Sequence, residues 1–309
     1  MNELDIARHS HLIDPHLQVW GWEIPTYLFL GGMAAGIMFL SSLLHARAGE
    51  RSRAARWLPL VAPLLVSLGM VALFLDLGHK AFVWRFYLAF RWTSPMSWGA
   101  WILIVVYPVS LLYGLATLAA EDAERLARRV PLLGGLVSPA RAFAARHLRG
   151  LRIANLVVGV GLGGYTGVLL STLGARALWG SALLGPLFLV SGISSGAALA
   201  LLLRVSAEER AFLSRADLHA MWLEIALILF VLAGLSTGGA AAQAGAALLL
   251  GGPYTAPFWA LVVAVGLVVP SLLELLERRM HLPATAVAPA LVLVGGFALR
   301  WILVAAGQA

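Results

Sequence analysis

The chain has 309 residues, of which 61% are hydrophobic and only 12% charged, about half the roughly 25% charge of a soluble domain. A globular core of this size cannot hide so much apolar surface, so the composition excludes a soluble protein and implies a polytopic membrane protein. The absence of cysteine excludes disulfides, a catalytic thiol and a thiolate-held iron–sulfur cluster within this chain. The net charge of +7 sits in short loops, so it calls for no nucleic-acid partner.

The first 20 residues carry Glu3, Asp5 and Asp14 against Arg8, the reverse of a basic signal-peptide leader. Eight stretches then approach the roughly 20 apolar residues that cross a bilayer core: 22–45, 57–77, 97–118, 152–173, 180–203, 218–236, 257–276 and 285–306. The Gly/Ala-rich segment 237–256 is too broken for a ninth. The predicted fold is an all-α membrane protein of eight transmembrane helices, and residues 1–309 form one integral membrane domain.

Lys and Arg counts orient the spans. One side holds sixteen: Arg47, Arg51, Arg53, Arg56, Arg125, Arg128, Arg129, Arg141, Arg146, Arg149, Arg152, Arg204, Arg210, Arg215, Arg278 and Arg279. The other holds five: Arg8, Lys80, Arg85, Arg91 and Arg176, with Arg300 left inside span 8. This bias puts both termini outside, on the periplasmic side of a bacterial inner membrane.

A repeat runs through the spans. Gly31-Gly32-Met33-Ala34-Ala35-Gly36 in span 1 matches Ser191-Gly192-Ile193-Ser194-Ser195-Gly196 in span 5. Pro108-Val109-Ser110-Leu111-Leu112 in span 3 matches Pro270-Ser271-Leu272-Leu273 in span 7, and Gly163-Gly164-Tyr165 in span 4 matches Gly295-Gly296-Phe297 in span 8. The shared order predicts two four-helix units in parallel orientation, 1–173 and 180–309. The Gly-xxx-Gly spacings at Gly32/Gly36, Gly159/Gly163 and Gly192/Gly196 predict close helix packing.

Ionisable side chains at membrane depth are costly and need a reason. Glu23 and Tyr27 are four apart and share a helix face; Asp76 and His79 are three apart. With Tyr165, they gather at one depth near the outer surface. That set suits a quinone headgroup. Tyr and His can donate to its two carbonyl oxygens, Glu and Asp can take up and release its protons, and glycines beside Tyr165 leave a gap for a flat ring. Toward the inner side, Asp217 and His219 read as interfacial, while Glu224 lies about a turn and a half inside span 6. Ser191, Ser194 and Ser195 could continue a proton path from Glu224, and Arg300 must pair with some partner. A b-type haem needs two histidines at one depth. Only His45 and His219 could meet, both at charged helix ends, so no haem is expected; no metal-ligand spacing occurs elsewhere. In segment 80–92, Phe82, Phe86 and Phe90 recur every four residues among Lys80, Arg85 and Arg91. This predicts an amphipathic interfacial helix, either an aromatic anchor or a docking platform for a peripheral partner.

The stretch Trp22-Glu23-Ile24-Pro25-Thr26-Tyr27-Leu28-Phe29-Leu30-Gly31-Gly32-Met33-Ala34-Ala35-Gly36 resembles the first helix of the NrfD/PsrC family of polysulfide-reductase-type membrane subunits. So do Asp76-Leu77-Gly78, Trp84-Arg85 and Arg91-Trp92-Thr93-Ser94-Pro95-Met96-Ser97-Trp98-Gly99-Ala100-Trp101, then Tyr165-Thr166-Gly167, and the run from Gly295-Gly296 through Arg300 to Ala306-Gly307-Gln308. His79-Lys80 departs from the Arg-Pro or similar pair expected there. The resemblance implies a haem-free subunit of eight helices that exchanges electrons with the quinone pool, menaquinone or ubiquinone. Its implied partner is an iron–sulfur subunit on the outer face, with a molybdopterin enzyme or a multihaem cytochrome beyond it. This chain would then not be the substrate-reducing subunit. By family position, Tyr165 and the Glu23/Tyr27 face are the quinone contacts and Asp76 exchanges protons. The repeat and the buried charges also suit a different class, a secondary transporter or proton-conducting protein without a redox role.

Overall fold

The computed structural model describes residues 20–308, except 89, 130, 174–176, 204 and 281–284. The acidic residues and histidines before Trp20, together with Arg8, Arg176 and Arg204, lie outside the described residues. Among the described residues, all regular structure is helical. Eight helices are long and apolar enough to cross a membrane: α1 Glu23–Ala48, α2 Arg53–Asp76, α3 Pro95–Thr117, α4 Leu148–Ser171, α5 Leu184–Leu202, α6 Ala207–Ser236, α7 Thr255–Arg279 and α8 Val287–Ala306. Segment 237–256 holds the helix Ala240–Leu250, too short to span at about 1.5 Å per residue.

The largest departure from the expected boundaries is α6, which starts eleven residues before position 218. Its first three turns carry Glu208, Glu209, Arg210, Arg215 and Asp217, which interrupt the apolar signal. A capping box at Ser206 starts the helix instead: the Ser206 Oγ accepts from the Glu209 N–H at 3.3 Å and the Ser206 N–H donates to Glu209 at 2.7 Å. Glu209 also accepts from the Ser52 hydroxyl at 2.6 Å and the Ala54 N–H at 2.9 Å. One buried carboxylate thus ties the α5–α6 turn to the start of α2.

α1 and α5 form the centre. α1 packs on α2, α4, α5 and α8, and α5 packs on α1, α4, α6 and α8. The adjacencies of the first four helices recur in the last four: α1 with α2 as α5 with α6, α1 with α4 as α5 with α8, and α3 with α4 as α7 with α8. The central contact is backbone on backbone. A Cβ on Gly192 would stand 2.5 Å from the Gly32 carbonyl oxygen, and one on Gly196 would stand 2.7 Å from the Gly36 carbonyl carbon. The two glycine motifs of the sequence repeat therefore face each other. Gly266 of α7 and Gly295 of α8 meet in the same way. α7 is wound as a π-helix over Phe258–Val268.

The two described ends of the chain meet at one end of the bundle. The Trp20 N–H donates to the Gln308 side chain at 2.8 Å, and the Gln308 amide donates to the Trp20 carbonyl at 3.1 Å. This end is called the termini face below, and the opposite end the arginine-rich face.

The α1–α5 contact cannot accommodate a side chain by changing rotamers, because the obstructing atoms are backbone. Gly196→Val is expected to cost about 3 kcal/mol or more and to lower the thermal unfolding midpoint of the detergent-solubilised protein sharply. Gly164→Ala, where a Cβ meets nothing within 4 Å, should leave that midpoint unchanged.

Candidate functional site

The first four spans enclose a cavity of about 460 Å³ at the termini face. Its wall is largely apolar, with Leu28, Met70, Leu103 and Leu170 among its residues. Its polar groups are Tyr27, Ser67, Asp76, Tyr87, Tyr107 and Tyr165, so four of the six tyrosines of the chain meet there. Val71, Phe74 and Met96, which also line it, are exposed on the flank of the bundle. The cavity thus opens sideways between α2 and α3, where lipid would lie.

Tyr27 of α1 and Tyr165 of α4 are 6% and 7% exposed, and their hydroxyls hydrogen-bond to each other. Two small residues seat the rings. A Cβ on Gly99 of α3 would collide with the Tyr165 ring, and one on Gly69 of α2 would stand 3.5 Å from the Tyr27 ring. Lower on α2, the Ser67 hydroxyl donates to the Pro63 carbonyl at 2.8 Å and lies 2.9 Å from the Tyr107 hydroxyl. Tyr87 comes from the short helix Arg85–Leu88. Burial pushes its hydroxyl above the usual tyrosine range, and the nearby Tyr107 adds to this, so Tyr87 remains a neutral donor at physiological pH.

Of the five outer residues expected to gather, Tyr27, Asp76 and Tyr165 line this cavity. Glu23 is half-buried at the start of α1, close enough to Asp76 for the two carboxylates to repel. His79 is exposed and lines an adjoining hollow of about 630 Å³ with Arg85, Arg91 and Ser94. Leu77, Phe86 and Met96 line both spaces. Sequence reasoning does not select Ser67, Tyr87 or Tyr107. Tyr87 lies in the aromatic segment that the sequence marks, but a lone serine and a lone tyrosine in apolar spans give no periodic signal. Of the glycines expected to leave a gap beside Tyr165, Gly163 is covered by Leu189 and Ala35, whereas a Cβ on Gly164 would meet nothing within 4 Å; Gly167, farther along, is covered by α5 backbone at Leu184. Gly163 and Gly167 serve helix contact, and the cavity itself lies on the α2–α3 side of the tyrosine.

The expected single amphipathic helix over 80–92 is also corrected. The chain forms a 3₁₀ turn at Lys80–Phe82 and a separate helix at Arg85–Leu88. The aromatic character survives as an exposed collar that includes Trp84, Phe86, Phe90 and Trp92. The Arg85 guanidinium lies 4.3 Å from the Phe82 ring centroid and 5.6 Å from that of Trp84.

A second polar system runs up from the arginine-rich face between α5, α6, α7 and α8. A small pocket lined by Arg210, Ser214, Glu274, Arg278 and Thr285 opens on that face. Ser214 donates to Glu274 at 2.8 Å and Ser194 donates to Asp217 at 2.6 Å, and each of the two carboxyls keeps one buried oxygen without a hydrogen-bond partner among the described residues. Asp217 is 0% exposed, which corrects its interfacial reading, whereas His219 is exposed. Because α6 starts early, Glu224 lies seventeen residues along it, about 25 Å from its first residue. It is buried mid-bundle rather than a turn and a half inside. Arg300 is there too, fully buried. It donates to Ser191 at 2.5 Å, to the Gly296 carbonyl at 2.9 Å and to the Phe188 carbonyl at 3.1 Å. Glu224 lies near both Ser191 and Arg300. Of the three inner residues singled out, Glu224 and Arg300 thus share one node, and Ser194 belongs to the step below it. Glu274 escapes the sequence reading because its stretch also reads as the charged end of a span.

His45 is buried with its ring 5.9 Å from that of Tyr113. Among the described residues, no group of three or more His, Asp or Glu side chains stands close enough to hold a metal ion.

A family model described as "Polysulphide reductase, NrfD" matches residues 11–309. The chain is 36% identical to "Protein NrfD" of Escherichia coli, over 94% of this chain and 95% of that protein. It is 30% identical to a polysulfide reductase polypeptide of Wolinella succinogenes, over 94% of each. It is also 27% identical to a selenate reductase subunit of Mesobacillus selenatarsenatis, over 60% of this chain and 47% of that protein.

The tyrosine pair has a thermodynamic signature. Tyr27→Phe or Tyr165→Phe alone leaves a buried hydroxyl without its partner and should cost about 1–3 kcal/mol, whereas the double substitution should cost less than the sum. A double-mutant cycle on thermal unfolding in detergent measures the coupling; additive losses would mean that the two hydroxyls do not bond.

Proposed function

This chain belongs to the polysulphide reductase NrfD family, and on that footing we propose that it is the membrane subunit of a respiratory oxidoreductase complex. It exchanges electrons and protons between the quinone pool, menaquinone or ubiquinone, and a peripheral iron–sulfur subunit. A molybdopterin or multihaem catalytic subunit lies beyond that partner. The observation that carries this reading is the apolar cavity with Tyr27, Tyr165 and Asp76 in its wall and a sideways opening toward lipid. A quinone is a flat ring with two oxygen atoms and an apolar tail. The cavity offers hydroxyl groups for the oxygens, apolar wall for the ring, and a flank through which a tail can reach the bilayer. When bound, the quinone supplies two-electron, two-proton redox chemistry.

The residues of this chain then divide the work. Tyr27 and Tyr165 orient the headgroup through their paired hydroxyls. Asp76 accepts or delivers protons at the cavity mouth, with Glu23 beside it as the second carboxylate. His79 and the adjoining hollow lie on the water side of Leu77 and Phe86 and suit the exchange of those protons with solvent. The aromatic collar with Arg85 and Arg91 is the docking platform for the iron–sulfur partner. Positive charge on the opposite face supports an orientation with that face in the cytoplasm and both termini in the periplasm, in a bacterial inner membrane. The chain has no cysteine, so electrons leave it through a second protein.

Proton translocation extends the reading. The Ser214–Glu274 and Ser194–Asp217 hydrogen bonds lead up from the arginine-rich face, and the Arg300–Ser191 hydrogen bond, with Glu224 near it, lies above them. A buried run of this kind is expensive in a membrane without a use, and a cytoplasmic proton half-channel is the use we assign.

Asp76→Asn and Tyr165→Phe should each lower quinol-linked turnover at least tenfold while the purified complex keeps its subunits. Normal turnover in both variants would sink the site assignment. In proteoliposomes, Glu224→Gln should abolish proton translocation and leave uncoupled electron transfer measurable; unchanged acidification would remove the half-channel.

A further inference from the structure

The hydrogen bonds at the foot of the cavity have a definite polarity. The Pro63 carbonyl can only accept, so the 2.8 Å contact from Ser67 uses the one hydroxyl proton of that serine. The 2.9 Å contact between Ser67 and Tyr107 can then be filled only by the proton of Tyr107. Tyr107 is held as a donor to the protein. What it turns to the cavity, whose wall it shares with Ser67, is an oxygen with free lone pairs and no proton to give. The pair of Tyr27 and Tyr165 is different. When one of Tyr27 and Tyr165 donates to the other, the acceptor keeps a free O–H.

We propose that the Ser67–Tyr107 pair reads the redox state of the ligand, with Tyr107 accepting a hydrogen bond from a hydroxyl of the reduced, hydroquinone form. This rests on the quinone-site reading above and adds a residue to it. A hydroquinone presents O–H groups and satisfies the Tyr107 acceptor. A quinone presents carbonyl oxygens, and its lone pairs would face those of Tyr107 across an apolar wall. A polar group left without a partner in a dry site is the strongest discriminator between ligands of equal shape, and here the two ligands differ only by two protons and two electrons. The depth is suitable. Ser67 precedes Asp76 by nine residues on α2, about 13 Å along the axis, so the Ser67–Tyr107 pair and the mouth carboxylate address different parts of the same space.

Two substitutions act in opposite directions. Tyr107→Phe removes the acceptor and should weaken hydroquinone binding about tenfold with little effect on the quinone. Ser67→Ala removes the group that holds the Tyr107 proton. That proton becomes free to point into the cavity, so quinone binding should strengthen by several-fold and the preference for the reduced form should shrink or invert. A side chain that merely props the wall open would change both forms alike.

The full-length chain is reconstituted in nanodiscs under anaerobic conditions. Its equilibrium affinity for a short-chain naphthoquinone and for the corresponding hydroquinone is measured by quenching of tryptophan fluorescence, Trp20 being part of the cavity wall. The expected result is a preference for the hydroquinone that Tyr107→Phe abolishes and Ser67→Ala shrinks or reverses. Equal affinities in the unsubstituted chain, or parallel changes for both forms in the variants, would overturn the assignment to Tyr107 and leave the quinone site standing. Failure of either form to bind the unsubstituted chain would overturn the quinone site itself.

Discussion

The contact between α1 and α5 decides how the other helices can be placed. Lipid tails are as apolar as leucine, so no hydrophobic force drives helices together inside a bilayer, and close van der Waals approach has to supply the attraction. Gly32, Gly36, Gly192 and Gly196 allow the two backbones to touch. α1 and α5 are therefore the most buried spans, and the other six surround them. The groups of α2, α3 and α4 that meet over the cavity are positioned from α1. Those of α6, α7 and α8 that build the polar run are positioned from α5. A larger residue at the seam would move both systems at once.

The same economy of side chains positions the polar groups. Tyr165 lies flat because α3 has Gly99 beneath its ring, and Arg300 reaches mid-bundle because α1 has Gly32 opposite its guanidinium, where a Cβ would stand 3.1 Å away. The buried arginine donates through its two terminal nitrogens to one hydroxyl and to two backbone carbonyls, at Gly296 and Phe188, while its Nε has no hydrogen-bond partner among the described residues. Carbonyl partners carry no counter-charge to be desolvated, which suits a guanidinium that must stay inside a membrane. Glu224 lies near both the guanidinium and Ser191. The surface arginines pair differently: Arg125 meets the Asp122 carboxylate directly, at 3.3 Å.

Much of this architecture is legible in the residues alone. Eight spans follow from apolar run length, and their order and type stand as expected, with the start of α6 the exception. Its charged first turns are held by a capping box and by a carboxylate shared with α2, interactions that no hydropathy window registers. Tyr27, Asp76 and Tyr165 can be found because polar residues in apolar spans stand out. Ser67 and Tyr107 cannot, since their meaning depends on α2 meeting α3 at a level set by tertiary packing. Asp217 misleads for the opposite reason. Near the charge-rich end of a span, a carboxylate looks interfacial, and only the positions of Ser194 and Glu274 show that it is enclosed. The pattern Phe82, Phe86, Phe90 has helical spacing, yet the chain breaks between Phe82 and Arg85; periodicity indicates which side chains are alike and not that the backbone is continuous.

The two polar systems come nearest to each other around Gly32. Tyr27 precedes Gly32 by five residues, about 8 Å along α1, and Arg300 faces Gly32 from the other side. Between them stand Leu28, which is 2% exposed, and Phe29, packed edge-on against Phe297. Among the described residues, the hydrogen bonds of Arg300 run to Ser191, Gly296 and Phe188 and away from the tyrosines, so the side chains build no proton wire across this interval. Charge can still act across it. A unit charge at ~10 Å in a medium of effective dielectric constant about 20 contributes about 1.7 kcal/mol, more than a factor of ten in a proton equilibrium. Loading or unloading the Glu224–Arg300 node would therefore change how readily the cavity groups hold protons, and the reverse holds equally by linkage. Under the proposed function, a dry seam crossed by a field would couple the two polar systems without joining them, and a joined wire would short-circuit any gradient that the protein helped to build.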